Sequence, residues 1–149
     1  LDLRSGGDRA AVVGFDEAAV LARPLSASRG AIVRALDGLT TALGTRLDLG
    51  LEAAAAELTG PRARSAADRA VVVLTDGRPQ GGTEDAVRAA AARARAVAGA
   101  GVWAIGLGDD VLDAVLTEVT GDAARVFVAP GPDELAAIYR AVASGIVCR

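Results

Sequence analysis

Histidine, lysine, methionine and asparagine are all missing from this chain of 149 residues, and cysteine occurs once. Each absence removes a class of chemistry. Without histidine there is no Ser-His-Asp or Cys-His catalysis and no zinc site of the usual ligand sets. Without lysine there is no Walker A phosphate lysine and no Schiff-base nucleophile. Without asparagine there is no N-glycosylation acceptor. All 16 cationic residues are arginine, and 19 carboxylates leave a net charge of −3. That balance gives no electrostatic case for nucleic acid or an anionic membrane as partner. No stretch approaches the ~20 apolar residues of a membrane span, so direct membrane insertion is not expected, and any targeting signal is expected to lie outside these residues.

What remains is a chain with 52% hydrophobic and 23% charged residues, enough to build one buried core in one domain. A chain that begins at Leu1 and has no methionine is expected to be cut from a longer protein. Cys148, one residue from the end, has two readings. It is an incidental surface thiol, or half of a disulfide whose mate lies upstream of Leu1, which would imply an oxidising compartment.

Apolar patterning predicts alternating strands and helices. Asp8 to Phe15 and Ala19 to Leu25 read as a hairpin, and Pro24 marks the second strand as an edge, since proline cannot donate to a sheet ladder. Ile32, Leu36 and Leu39 sit at helical spacing within Arg29 to Leu39. A second helix carries Leu47, Leu51, Ala54, Ala55 and Leu58 and stops at Gly60-Pro61. Ala70 to Thr75, AVVVLT, is continuously apolar, as expected for a parallel strand covered by helices on both faces. An alanine-rich helix from Glu84 to Ala98, a strand from Val102 to Leu107, a helix capped by Asp109 or Asp110, a short strand at Val126 to Val128 and a last helix opening at Pro132-Asp133 complete the series. The pattern predicts a three-layer α/β/α doubly wound fold with a mostly parallel sheet and one antiparallel edge strand.

In such sheets ligands sit beyond the carboxyl ends of the strands. Asp76, at the mouth of the AVVVLT strand and followed by Gly77, is placed to hold a hard cation, or else to cap the next turn. Asp109 and Asp110 read as helix caps, and Asp16 and Glu17 as turn residues. The segment GLGDD lacks the G-x-G-x-x-G spacing of a dinucleotide loop. Trp103 and Tyr139 are expected in the core, Tyr139 with a satisfied hydroxyl. The arginines of Arg62 to Arg69 and Arg88 to Arg95 read as solvated faces with no interleaved aromatics for base stacking.

The order of GDRAAVVGF (Gly7 to Phe15), ALGTRLDLGLEAA (Ala42 to Ala54), VVVLTDGRP (Val71 to Pro79), GVWAIGLGDD (Gly101 to Asp110) and PDELAAIYRAVA (Pro132 to Ala143) resembles the von Willebrand factor type A family over essentially the whole chain. The resemblance implies a metal-ion-dependent adhesion site, usually holding Mg²⁺, with ligands from D-x-S-x-S after the first strand, a threonine in a G-T loop and an aspartate in T-D-G. Residue by residue, Thr45 matches the loop threonine and Asp76 the aspartate. A carboxylate from a protein partner would complete the octahedron, so binding rather than catalysis is the implied task. D-x-S-x-S is missing: Pro24-Leu25-Ser26-Ala27-Ser28 has proline where aspartate is required. The resemblance places the family's first strand and most of its first helix upstream of Leu1, so that segment of the same protein is an implied partner. This chain alone is then expected to bind Mg²⁺ weakly or not at all. Two rival readings stand beside it: a structural scaffold whose metal site has been lost, and an Asp76-dependent phosphotransfer enzyme fragment, for which a lysine or histidine partner is lacking. A surface-exposed bacterial protein is the expected context, from the Ala/Arg bias, the family and Cys148.

Overall fold

The computed structural model describes residues 7–40, 43–76, 79–99, 101–108, 113–129 and 132–147. Two strands, β1 (Ala10–Phe15) and β2 (Ala19–Ser26), form the antiparallel hairpin that the sequence predicts. Asp16 builds its turn: the Asp16 carboxylate accepts the Ala18 N–H at 2.9 Å, and the Asp16 N–H donates to the Ala18 carbonyl. Among the described residues β2 pairs only with β1, which is where a strand containing Pro24 is tolerated.

Helix α1 (Arg29–Asp37) starts at Ser28, whose hydroxyl accepts the Ala31 N–H at 3.3 Å, and α2 (Leu47–Thr59) ends at Gly60. β3 (Ala70–Thr75), β4 (Gly101–Leu107) and β5 (Val126–Ala129) make a three-stranded parallel sheet. α3 (Glu84–Val97), capped by Thr83, crosses from β3 to β4, and α4 (Asp113–Thr120) with a 3-10 turn at Ala123–Arg125 leads into β5. α5 (Pro132–Val147) closes the chain. No helix among the described residues is long and apolar enough to cross a membrane.

Burial assigns the layers. α2, α3 and α4 share one face: Leu47 and Leu51, then Val87, Ala90, Ala91 and Ala94, then Leu116 and Val119, all pack on Val71, Val73, Val102 and Ala104. The three α3 alanines are fully buried, so the helix backbone lies close to the sheet. Phe15 of β1 joins this cluster, its ring lying so near Gly50 of α2 that a Cβ there would stand 2.9 Å away. On the opposite face α1 packs on the hairpin, with Leu39, just beyond it, against Gly14, and α5 packs on β4 and β5, where Val142 and Ile138 meet Trp103 and Phe127. Trp103 is in the core as expected, with the Arg125 guanidinium 5.1 Å above its ring.

Two expectations are corrected. AVVVLT is covered on one face only: Val71, Val73 and Thr75 are buried, whereas Val72 and Leu74 are 40% and 37% exposed. Among the described residues only Ala70 on that side of β3 joins the cluster of Trp103 and Val142. Tyr139 is 42% exposed rather than in the core, and the half-burial it retains raises its phenol pKa. The arginines stand in solvent as expected, with Arg62, Arg88 and Arg93 side chains 47%, 52% and 63% exposed, and several of them also fasten elements together. Arg62 grips Glu57, Arg88 bridges Asp85 and Glu118, Arg93 reaches Glu52, and Arg95 donates to the last carbonyls of α4. Asp109, Asp110, Gly77 and Cys148 lie outside the described residues.

Candidate metal-binding rim

Three loops meet where β1 and β3 end and α2 begins. The Arg46 N–H donates to the Asp16 carbonyl at 2.7 Å, tying the start of α2 to the end of β1. The Gln80 N–H donates to the Thr45 carbonyl at 3.0 Å in an isolated antiparallel bridge, tying the same loop to the segment that leaves β3 through Asp76. Gly44 precedes with φ of +96°, a conformation an L side chain rarely adopts, and an added Cβ would stand 2.8 Å from the Glu17 side chain. The glycine of the G-T dipeptide is therefore required by the geometry of the loop that carries Thr45.

An ion pair braces the rim from below. Arg46 Nε and Nη2 donate to the two Asp48 oxygens at 2.9 and 2.7 Å, a bidentate pair on the first turn of α2. Asp48 is only 4% exposed, and this hydrogen bonding holds its carboxyl below the usual carboxylate range. Gly82 lies directly over that carboxylate, and Gly81 over the Arg46 stem, so the pair also seats the loop after β3. Asp48 is thus occupied by Arg46 and is not a free ligand.

Thr45 and Asp76 stand apart from these contacts. The Thr45 carbonyl serves the Leu47 and Gln80 N–H groups, while its hydroxyl has no partner among the described residues. Asp76 is exposed, and its carboxylate has no hydrogen bond or ion pair there. Both are hard oxygen donors of the type that suits Mg²⁺. In donor chemistry the rim fits such an ion; in donor number it does not, because no group of three or more acidic, histidine or cysteine ligands occurs among the described residues. Beside it opens a cleft of about 460 Å³ lined by Glu17, Leu43, Gly44, Arg46, Gln80 and Gly81. Sequence reading missed Glu17, Arg46 and Gln80 as its lining. The Gly pair after Gln80 was the available signal, since small residues there admit Arg46 and Asp48 beneath the loop.

A family model of the von Willebrand factor type A domain matches residues 1–141. A search of curated proteins finds no match. Among solved structures, proximal thread matrix protein 1 from the mussel byssus is 26% identical with a TM-score of 0.76, over 91% of this chain and 34% of that one. The same mussel protein solved with a zinc-occupied MIDAS motif is 27% identical with a TM-score of 0.74, over 89% of this chain and 33% of that one. The von Willebrand factor domain of the type V pilus tip protein from Porphyromonas gingivalis superposes with a TM-score of 0.78 at 13% identity, over 97% of this chain and 81% of that one, and shows the fold alone. This chain spans about a third of the length of the mussel protein. Such domains are generally non-enzymatic interaction modules. With a family model matching nearly its whole length, the chain belongs to the von Willebrand factor type A domain family.

Proposed function

We propose that residues 1–149 are a single, N-terminally incomplete von Willebrand factor type A domain that recognises protein ligands through Mg²⁺, held in part by Thr45 and Asp76. The observation that carries this reading is the Thr45–Gln80 bridge, which ties the G-T loop to the loop leaving β3, with the Thr45 hydroxyl and the Asp76 carboxylate both without a partner among the described residues. The zinc-occupied motif of the mussel protein supports it by similarity. When bound, the cation supplies an attachment point for an acidic residue of the protein partner. The chain's own part is positional. Arg46 and Asp48 neutralise each other and fix the start of α2, and Gly44 sets the turn; on this reading Thr45 and Asp76 would present oxygen to the ion from two loops. The remaining ligands come from the segment of the same protein upstream of Leu1. Cell-surface adhesion in a bacterial protein is the context we assign, in keeping with the fold shared with a pilus tip domain. A scaffold that has lost its metal is the second reading, favoured by the lack of a three-ligand acidic group among the described residues.

Isothermal titration with Mg²⁺ separates them. Residues 1–149 should show no saturable binding, because two oxygen ligands cannot displace enough water from an ion that dehydrates reluctantly. A polypeptide extended upstream should bind one ion and lose it in Asp76→Asn and Thr45→Val. Tight one-to-one binding by residues 1–149 refutes the incomplete site. Binding by the longer polypeptide that survives both substitutions refutes the residue assignment, and no binding by the longer polypeptide establishes the scaffold.

A further inference from the structure

The cleft of about 460 Å³ draws its walls from three loops. Gly44 and Arg46 flank Thr45, Glu17 comes from the turn between β1 and β2, and Gln80 and Gly81 come from the loop leaving β3. Its base is fixed. The Glu17 stem lies across Gly44, its Cγ 2.8 Å from where a Cβ of residue 44 would stand. Arg46 is held by both Asp48 oxygens, and Gly81 rests on its stem.

Charge decides what such a cleft accepts. Of its described lining residues only Glu17 and Arg46 are ionised. The Arg46 guanidinium is committed to Asp48, which is 4% exposed, so that pair is neutral as a unit. Glu17 is exposed, and its carboxylate has no hydrogen bond or ion pair among the described residues. The lining therefore presents one uncompensated negative charge. Leu43, 85% exposed, adds an apolar wall, and Gln80 adds an amide oxygen as a further acceptor. A carboxylate, an amide oxygen and an apolar wall match a cation carried on an aliphatic stem. Arginine suits them better than lysine. Its planar fork donates two N–H groups to one carboxylate and keeps others for an amide oxygen, whereas an ammonium is a point charge. The volume falls within the ~300–1,000 Å³ of small-ligand pockets, room for one long side chain and the backbone that bears it.

We infer that this cleft is a subsite for an arginine side chain of the protein ligand, with its guanidinium on Glu17 and its stem along Leu43. The inference rests on the reading of the rim as the place where a protein ligand docks, and it adds that ligand's chemistry: an arginine near the acidic residue that reaches the cation. Glu17 and Leu43 then select among ligands without touching the metal.

The test keeps the metal out. With a chelator present, acetyl-arginine amide is titrated into isotopically labelled residues 1–149 and followed by NMR. The signals of Glu17, Gly44, Arg46 and Gly81 should shift together and saturate, and added salt should weaken the binding. Glu17→Gln should weaken it about fivefold, the upper range of an exposed ion pair, while signals away from the cleft stay in place. Acetyl-norleucine amide, which has the stem without the charge, should bind more weakly than acetyl-arginine amide by a similar factor. No saturable shift at these residues, or one that Glu17→Gln leaves unchanged, overturns the subsite. Stronger binding of acetyl-glutamate amide also overturns it, since the cleft would then read anions through Arg46. No cation takes part, so these outcomes are independent of the Mg²⁺ titration that tests the metal reading.

Discussion

Replacing Glu57 by alanine isolates the contact that fastens the far end of α2. Its carboxylate, 4% exposed, accepts Arg62 Nε at 2.8 Å, Arg62 Nη2 at 2.6 Å and the Leu25 N–H at 2.8 Å. Without it the part-buried Leu25 N–H loses its acceptor, at about 1–3 kcal/mol. Arg62 is 47% exposed, so its freed charge returns to water and the loss stays below the ~3–5 kcal/mol of breaking a fully buried pair. We expect a total of about 3 kcal/mol, or about 6–12 °C in Tm for a chain of this length. Urea unfolding followed by the fluorescence of the single tryptophan, Trp103, measures it. Arg62→Ala leaves a buried carboxylate with only the Leu25 N–H, and the double variant should be less destabilised than the sum of the singles by about 1 kcal/mol or more. The pH dependence supplies a second check. Hydrogen bonding from Arg62 depresses the Glu57 pKa below its ordinary 4.5, so its stabilisation is complete above that pH and disappears as pH falls through the lower folded value. Glu57→Ala should therefore be most costly near neutrality and progressively less so below about pH 4.5. A coupling near zero, or a cost that does not change with pH, would refute this reasoning.

Arg46→Ala should cost about 2–3 kcal/mol, since it strands the buried Asp48 carboxylate, and should raise the Asp48 pKa in a carboxyl titration followed by NMR. Asp76→Asn in residues 1–149 should change stability by no more than about 0.5 kcal/mol, because the exposed carboxylate has no partner among the described residues; thermal unfolding would show otherwise. Gly50→Ala should destabilise by about 1–2 kcal/mol by chemical denaturation, the 2.9 Å approach to the Phe15 ring outweighing the helix propensity gained.

Local patterning carried the elements: AVVVLT is β3 residue for residue, and Gly60 stops α2 where proline follows. Patterning could not say how many neighbours a strand has. A continuously apolar run reads as covered on both sides, yet Val72 and Leu74 are partly exposed because covering is a property of the assembled sheet. Arginine roles were illegible for a related reason. Arg62 and Glu57 are five residues apart, but Arg88 and Glu118 are thirty apart and meet only through the packing of α3 beside α4. At the rim, strand-end position alone singled out Asp76. Thr45 came only through family resemblance, because a threonine before a helix carries no local mark of chemistry. Tyr139, placed in the core from its helical spacing, lies instead on an exposed part of α5.

The central claim is that Thr45 and Asp76 face one cation from two loops, and paramagnetic Mn²⁺ tests it even where binding is weak. Added in small amounts to isotopically labelled residues 1–149, Mn²⁺ should broaden the NMR signals of Thr45 and Asp76 together, ahead of those near Glu84, Asp85 and Glu118. Broadening that begins at those surface carboxylates and leaves Thr45 sharp would contradict the account.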